Sequence, residues 1–150
     1  MRYFSKSENK YVSYGKDLGY NRGFYYEIIS KYQGDGTYFD HMGNDWSEDD
    51  IIKERHSGLK DFRNYHLYEG DIISNDNDTF IGLVEFIDGA FCCTYIVEGD
   101  YEAMGESQYD TLNSVLLYDC LQYHTNLNCI GNINENKDLI EDIIELKGVK

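Results

Sequence analysis

The stretch "FIGLVEFIDGAFCCTYIV", from Phe80 to Val97, constrains the fold more than any other part of this sequence. Two runs rich in β-branched and aromatic residues flank the dipeptide Asp88-Gly89. A two-residue Asp-Gly connection suits the type I′ turn, whose twist matches that of two antiparallel strands. The pattern therefore predicts a β-hairpin that turns at Asp88-Gly89.

On both sides of this hairpin, short aromatic or β-branched runs alternate with Gly, Asn and Asp, which is typical of strands joined by turns. The run "HLYEGDIIS" predicts a strand end, a turn at Glu69-Gly70-Asp71 and a strand through Ile72 and Ile73. The preceding "DFRN" predicts another turn, since Asp and Asn hydrogen-bond the backbone locally. Gly58 is interpreted as a turn residue as well. The N-terminal runs that predict strands are "KYVSYG", "GFYYEIISKY" and "GTYFD".

Three segments carry helical signals. "WSEDDIIKERH" resembles a helix N-terminus from Ser47 to Asp50, but Ile51 and Ile52 equally suit the start of a strand. "DTLNSVLLYDCLQYH" is open between a short helix and a strand. "ENKDLIEDIIELKG" predicts a C-terminal helix with Asn136 as its N-cap and Gly148 near its end. The apolar face of that helix comprises Leu139, Ile140, Ile143 and Ile144.

Size and composition favour a single folded domain. A chain of 150 residues suits one domain, and 41% hydrophobic residues exclude a disordered acidic tail despite the net charge of -15. No run approaches the ~18 apolar residues of a membrane span, and "MRYFSKSENK" lacks the apolar core of a signal peptide. We therefore expect a cytoplasmic protein without membrane contact, whose four cysteines remain reduced.

Patterns for catalysis or metal binding are weak. Cys120, His124 and Cys129 lie close in sequence, but structural zinc sites show tighter ligand pairs, so buried cysteines are the preferred interpretation. "NDND", from Asn75 to Asp78, lacks the glycine and distal glutamate of a calcium loop. The sequence contains no phosphate-loop, dinucleotide or nucleophile-elbow pattern. We expect no catalytic residues, no metal site and no cofactor, and we interpret Asp71 as a turn residue.

The charge distribution is the most informative functional feature. All 13 Lys and Arg lie at or before Arg63 or at or after Lys137, so residues 64–136 contain none. Acidic clusters repel nucleic acid and attract basic proteins, and interleaved aromatic side chains such as Tyr38 supply apolar anchors, although solvated loops that maintain solubility give the same pattern. The residues that we expect to bind a partner are Asp45, Trp46, Glu48, Asp49, Asp50, Glu98, Asp100, Tyr101, Glu102, Glu106, Tyr109 and Asp110.

Three motifs follow one another in a characteristic order: "HSGLKD" with "YEGDII", then "GLVEFIDGAF", then "CIGNINENKDLI". Together they resemble the YopX family of bacteriophage and prophage proteins, which are mostly of unknown function. The family pattern runs roughly T-G-L-K-D, I-Y-E-G-D-I-V, G-V-V-E-F and V-I-G-N-I-Y-E-N-P. Here Ser57 replaces the usual threonine, and Asn134 and Lys137 replace the usual tyrosine and proline. The strong resemblance covers Ile51 to Ile140, whereas the N-terminal third matches only as an aromatic β segment.

The resemblance implies a mainly β fold within one domain over residues 1–150. It implies a β-rich acidic and aromatic extension over 1–50, an antiparallel SH3-like barrel over 51–136 and a short C-terminal helix over 137–147. It also favours a strand for Ile51 to His56. It supplies no catalytic residues.

The phage resemblance and the acidic clusters lead to one preferred hypothesis. We expect a non-enzymatic accessory protein that binds a host or phage protein with a basic surface, in the cytoplasm of the host cell, and that does not bind nucleic acid directly. Its most concrete form is an acidic inhibitor of a CRISPR or restriction nuclease. The alternative is a self-assembling structural or regulatory module, because exposed strand edges and 15 tyrosines suit homo-oligomers.

Overall fold

The computed structural model describes residues 2–13, 28–31, 37–40, 45–75, 79–98, 110–124 and 126–148. The strands are β1 (Arg2–Ser5), β2 (Lys10–Ser13), β3 (Ile28–Lys31), β4 (Thr37–Asp40), β5 (Asp45–Ser47), β6 (Ile51–Glu54), β7 (His56–Lys60), β8 (His66–Tyr68), β9 (Asp71–Ser74), β10 (Ile81–Ile87), β11 (Ala90–Val97), β12 (Thr111–Leu116) and β13 (Asn128–Asn132). The α-helices are α1 (Leu117–Tyr123) and α2 (Glu141–Gly148). The mainly β, antiparallel fold with a short C-terminal helix is thus confirmed.

The chain divides into two compact units, Met1–Tyr68 and Glu69–Lys150, called here the first and second units. The division falls inside the "YEGD" motif, between Tyr68 and Glu69. The arrangement of one domain over residues 1–150 stays a prediction.

The described residues of the first unit form three small antiparallel sheets, with strand orders β2-β1-β6, β3-β4-β5 and β7-β8. A core cluster within it consists of Val12, Tyr38 and Ile51, against which Tyr3 and Trp46 pack. These side chains come from β1, β2, β4, β5 and β6, so Tyr38 of the run "GTYFD" helps to build this core. The three predicted N-terminal strands are confirmed over β2, β3 and β4, and the other residues of the three runs lie outside the described residues.

The ambiguous segment "WSEDDIIKERH" contains one turn of helix and then a strand. Glu48–Asp50 forms a 3₁₀ turn, and the Ser47 side chain accepts a hydrogen bond from the Asp49 N–H. β6 begins directly after it, because Ile51 and Ile52 pair with Ser5 and Phe4 of β1. The strand expected from the family resemblance is confirmed over Ile51–Glu54.

A buried ion pair ties β1 to β6. The Arg2 side chain is 0% exposed and donates from Nε to Glu54 Oε1 at 2.6 Å. The Tyr11 hydroxyl donates to the same oxygen at 2.7 Å. The Arg2 guanidinium also lies over the rings of Tyr11 and Tyr68, at 4.7 and 4.8 Å from their centroids, in cation–π geometry. Arg2 is therefore enclosed on several sides by groups that favour its positive charge.

β7 and β8 show where local sequence signals succeed and fail. Asn64 has φ 73 and donates its N–H to the Asp61 carbonyl at 2.9 Å, which confirms the "DFRN" turn. Gly58 has φ 80 but lies inside β7, where the pairing between His56 and Lys60 is irregular. The turn predicted at Gly58 is therefore wrong: the glycine allows a bulge in a strand, a position that also needs left-handed backbone.

The second unit is built on a five-stranded sheet with the order β12-β11-β10-β9-β13. The predicted hairpin is confirmed, with Ile87 paired to Ala90 and positive φ at Asp88 (49) and Gly89 (85), as a type I′ turn requires. One face of the sheet packs against the C-terminal helical segment through Ile72, Leu83, Ile140 and Ile143. The turn predicted at Glu69-Gly70-Asp71 is confirmed at Glu69 and Gly70, with Gly70 at φ 91. Asp71 is not a turn residue, because it begins β9 and pairs with Asn132.

The C-terminal segment is helical, but its start differs from the prediction. A 3₁₀ helix over Lys137–Ile140 precedes α2. The Asn136 side chain does not cap it; its Oδ1 accepts a hydrogen bond from the Asn132 N–H at 3.2 Å instead. Asn136 therefore occupies the predicted N-cap position, but its side chain makes no capping bond, because Gly131 leaves room for it to turn back onto β13. At the other end, Lys147 pairs with Glu85 of β10.

The remaining fold predictions are resolved only partly. The segment "DTLNSVLLYDCLQYH", for which the sequence left a helix and a strand open, contains both, since β12 runs directly into α1. None of the four sheets in the described ranges closes into a barrel, so the SH3-like barrel implied by the family resemblance is not confirmed. Within those same ranges, no helix is long and apolar enough to cross a membrane.

Candidate protein-binding surface

The first acidic cluster lies on β5 and the following 3₁₀ turn. Asp45, Glu48 and Asp49 are exposed, as expected for a binding surface. A basic residue, Lys53, lies near this cluster, however. A hydrogen bond with Tyr38 is the main cause that raises the pKa of Lys53, and the nearby charge of Glu48 raises it further. The surface around this cluster therefore carries both signs of charge.

Asp50, the last acidic residue of this cluster, makes contacts within the first unit. Its carboxylate accepts hydrogen bonds from Ser5 Oγ at 2.6 Å, from the Ser7 N–H at 2.8 Å and from Ser7 Oγ at 3.0 Å. The hydrogen bond from Ser5 is the main cause that lowers the pKa of the Asp50 carboxyl. The side chain thus holds the turn between β1 and β2, and its oxygens are already occupied.

We expect Ser5→Ala to raise the pKa of Asp50 toward its ordinary value, measured by NMR titration of the side-chain carboxyl. Since folding lowers this pKa, the stabilisation is complete above the unfolded-state pKa of about 3.9 and is lost as pH falls through the folded-state value. Ser47→Ala is the control, because the Ser47 hydroxyl accepts a hydrogen bond from the Asp49 N–H, whereas the hydrogen bonds that lower the Asp50 pKa come from Ser5 and Ser7. An unchanged Asp50 titration in the Ser5 variant would contradict this assignment.

Two of the expected aromatic anchors belong to the core of the first unit. Tyr38 is 5% exposed, so its use as an anchor is wrong. Trp46 is half-buried against the same core, and its Nε1 donates to Glu8 Oε2 at 2.5 Å. β5 pairs Trp46 directly with Tyr38, which turns both rings into the core.

The second acidic cluster begins directly after one strand of the second unit and ends directly before the strand that pairs with it. Val97 pairs with Thr111, so Glu98 and Asp110 lie at the end of the strand pair where residues 98–110 connect β11 to β12, and both are exposed. The other predicted residues of this cluster lie outside the described residues: Asp100, Tyr101, Glu102, Glu106 and Tyr109. The hairpin therefore brings the two ends of the acidic segment together.

Net charge is divided very unequally between the two units. The first unit carries ten Lys and Arg against eleven Asp and Glu, whereas the second carries three against seventeen. Almost all of the formal charge of -15 thus belongs to the second unit. Of its three basic residues, Lys147 is paired with Glu85. Sequence inspection alone missed this contrast, because the boundary at Tyr68 is a property of the folded chain.

The cysteines and histidines considered for metal binding have other surroundings. Within the described ranges, no three His, Cys, Asp or Glu side chains group as metal ligands. The Cys120 thiol hydrogen-bonds with Cys93, and this contact together with burial raises the pKa of Cys93. His124 stacks on Phe80 with ring centroids 4.4 Å apart. The same contact lowers the pKa of Cys120, so the raised pKa makes only Cys93 a poor nucleophile. Cys93, Cys120 and Cys129 are free, buried thiols.

Comparison with known families assigns nearly the whole chain to one family. The family model described as "YopX protein" matches residues 2–141 and therefore includes the N-terminal third as well as the motifs between Ile51 and Ile140. No curated protein matches the sequence significantly. Because the matched region covers nearly the whole chain, including both units, the chain belongs to the YopX family.

Proposed function

We propose that this YopX protein is a non-enzymatic phage or prophage accessory protein that binds a basic protein through its second unit. The concentration of negative charge in that unit, seventeen acidic against three basic residues, is the observation that carries the proposal. A field of this strength accelerates encounter with positively charged surfaces and opposes contact with nucleic acid. In its most concrete form, the partner is a CRISPR or restriction nuclease whose nucleic-acid groove is occupied by carboxylates in place of phosphates.

The structure favours the second cluster over the first as the centre of this surface. Glu98 and Asp110 are the first and last residues of an acidic segment, residues 98–110, that contains no Lys or Arg. The first cluster has Lys53 close to Glu48, and its Asp50 is engaged with Ser5 and Ser7. Opposite charges nearby weaken the field that a basic partner would encounter. The partner-binding role is therefore proposed mainly for the acidic segment from Glu98 to Asp110.

The test is capture of partners from a phage–host lysate on the immobilised full chain, followed by affinity measurement with the purified partner. We expect one basic nucleic-acid enzyme, displaced by competing duplex DNA. Affinity should fall as salt rises, because the interaction is largely electrostatic.

Two matched triple variants decide which cluster binds. Glu98→Gln/Glu102→Gln/Asp110→Asn removes three charges from the second cluster, and Asp45→Asn/Glu48→Gln/Asp49→Asn removes three from the first. We expect the second-cluster variant to weaken binding at least ~10-fold and to flatten the salt dependence, since each lost contact to a cation removes part of the electrostatic term. The first-cluster variant is the control and should bind within about twofold of the parent.

Equal losses in both variants would show that total charge matters and that the second cluster has no special role. Unchanged affinity in both, or a partner that DNA does not displace, would make mimicry of phosphates untenable. Capture of the protein by itself alone would favour the self-assembling module instead.

A further inference from the structure

The open edge of the five-stranded sheet is a second recognition feature in the second unit. Among the described strands, β12 pairs only with β11 and forms one edge. Alternate residues of an antiparallel edge strand direct their N–H and C=O groups away from the sheet. Thr111, Asn113, Ser114 and Leu116 are exposed, so the strand is accessible to an added chain.

β12 itself contains no lysine, proline or bulge. Natural edge strands carry lysine, proline or a bulge, or are very short. β12 has the sequence "TLNSVL" over six residues, and all six pair in regular register with β11. The opposite edge, β13, contains glycine and an irregularity between Cys129 and Gly131. The two edges of the same sheet thus differ, and β12 is the one suited to pairing.

Acidic residues lie at both ends of this edge strand, and exposed apolar residues lie at its C-terminal end. Leu116 is 50% exposed at the end of the strand, and Tyr118 is 59% exposed just beyond it. Asp110 immediately precedes the strand, and Asp119 lies in the first turn of α1. An extended segment laid along β12 would therefore meet Asp110 at one end, Asn113 and Ser114 in the middle, and Leu116, Tyr118 and Asp119 at the other end.

We propose that β12 receives a basic, extended segment of the partner as a sixth strand of the sheet. This rests on the proposed function and specifies its mode of recognition: main-chain hydrogen bonds supply the pairing, and the flanking acids select a segment with Lys or Arg at its ends. A second copy of this chain is disfavoured as the occupant. Its own edge would bring another Asp110 and Asp119, within a unit that has fourteen more acidic than basic residues.

The probe is a fluorescein-labelled peptide with the sequence Lys-Lys-Val-Thr-Val-Thr-Val-Lys-Lys, long enough to span about six paired residues. The matched control peptide has the same sequence with N-methyl groups on alternate residues of its centre. The control keeps every charge and side chain but cannot donate the hydrogen bonds of a sheet edge. Binding of both peptides to the full chain is measured by fluorescence anisotropy, with hydrogen exchange of the β12 amides as the second readout.

We expect the unmodified peptide to bind at least ~10-fold more tightly than the N-methylated control and to slow exchange of β12 amides but not those of β13. Equal binding of the two peptides would overturn strand addition while leaving acidic recognition, and so the proposed function, intact. Failure of both peptides to bind also overturns it, and partner capture then decides the proposed function separately. Protection of β12 that rises with protein concentration without peptide would identify a second copy as the occupant and overturn the basic-partner assignment.

Discussion

Replacing Arg2 with methionine is expected to lower the free energy of unfolding by about 3–5 kcal/mol. The variant would leave the Glu54 carboxylate, which is 3% exposed, without the cation that donates to it at 2.6 Å. Loss of the cation–π contacts with Tyr11 and Tyr68 adds to the effect. Urea denaturation followed by fluorescence of Trp46, the single tryptophan, measures the change in the first unit.

Two further variants separate the ion pair from simple packing. The double variant Arg2→Met/Glu54→Met removes both charges, and we expect it to recover most of the lost stability because no buried charge remains unpaired. Lys10→Met is the surface control: Lys10 Nζ lies 3.8 Å from Glu8, and both side chains are largely exposed, so the change should stay within about 0.5 kcal/mol. A double variant as unstable as Arg2→Met would show that the stability comes from the shape of the arginine and its contacts with the rings.

Gly82→Ala is expected to destabilise the protein by about 1–3 kcal/mol, through overpacking of the β10–β11 sheet. A methyl group at this position would overlap Cys93 Sγ and approach Phe80 Cζ to 3.2 Å. Cys93 is fully buried and its thiol contacts Cys120, so it has little freedom to move away. Thermal unfolding by circular dichroism measures the shift.

The double variant Gly82→Ala/Cys93→Ala tests whether this one sulfur atom is responsible. Removing Sγ makes room for the new methyl group, so we expect the double variant to be more stable than Gly82→Ala alone. Gly148→Ala is the matched control, because no atom lies within 4 Å of an added methyl group there, and its melting temperature should stay near the parental value. If the changes in unfolding free energy caused by Cys93→Ala and Gly82→Ala simply add, the two positions are not coupled and the overlap is relieved elsewhere.

Sequence patterns predicted the elements whose geometry depends on adjacent residues. Asp88-Gly89 defines its own turn because both residues accept left-handed backbone, and Gly70 and Asn64 do the same. The "YEGD", "GLVEF" and "IGNI" motifs were sufficient to assign the family. Charge could also be read directly, since residues 64–136 contain no Lys or Arg.

Positions whose roles depend on distant partners were predicted less well. Glycine with left-handed backbone occurs both in turns and in strand bulges, so the sequence does not tell which of the two Gly58 forms. The irregular pairing of β7 with β8 shows that it is a bulge. The Asn136 side chain could accept a hydrogen bond either from the first turn of the helix or from β13. The space above Gly131 lets it accept from the Asn132 N–H of β13. Asp50 and Trp46 resembled binding residues, but Ser5, Ser7 and the Tyr38 core already engage them.

The sequence by itself determined the β class, the central hairpin, the family and the acidic character of this protein, because these follow from local backbone preferences and from composition. Tertiary structure alone decided three further properties. It buried Arg2 with Glu54 across 52 positions of the chain, placed β12 at an edge of the sheet formed by the described strands and assigned nearly all the negative charge to one compact unit. Each of these depends on which strands pair across long separations, and that choice is made by the packing of the whole chain.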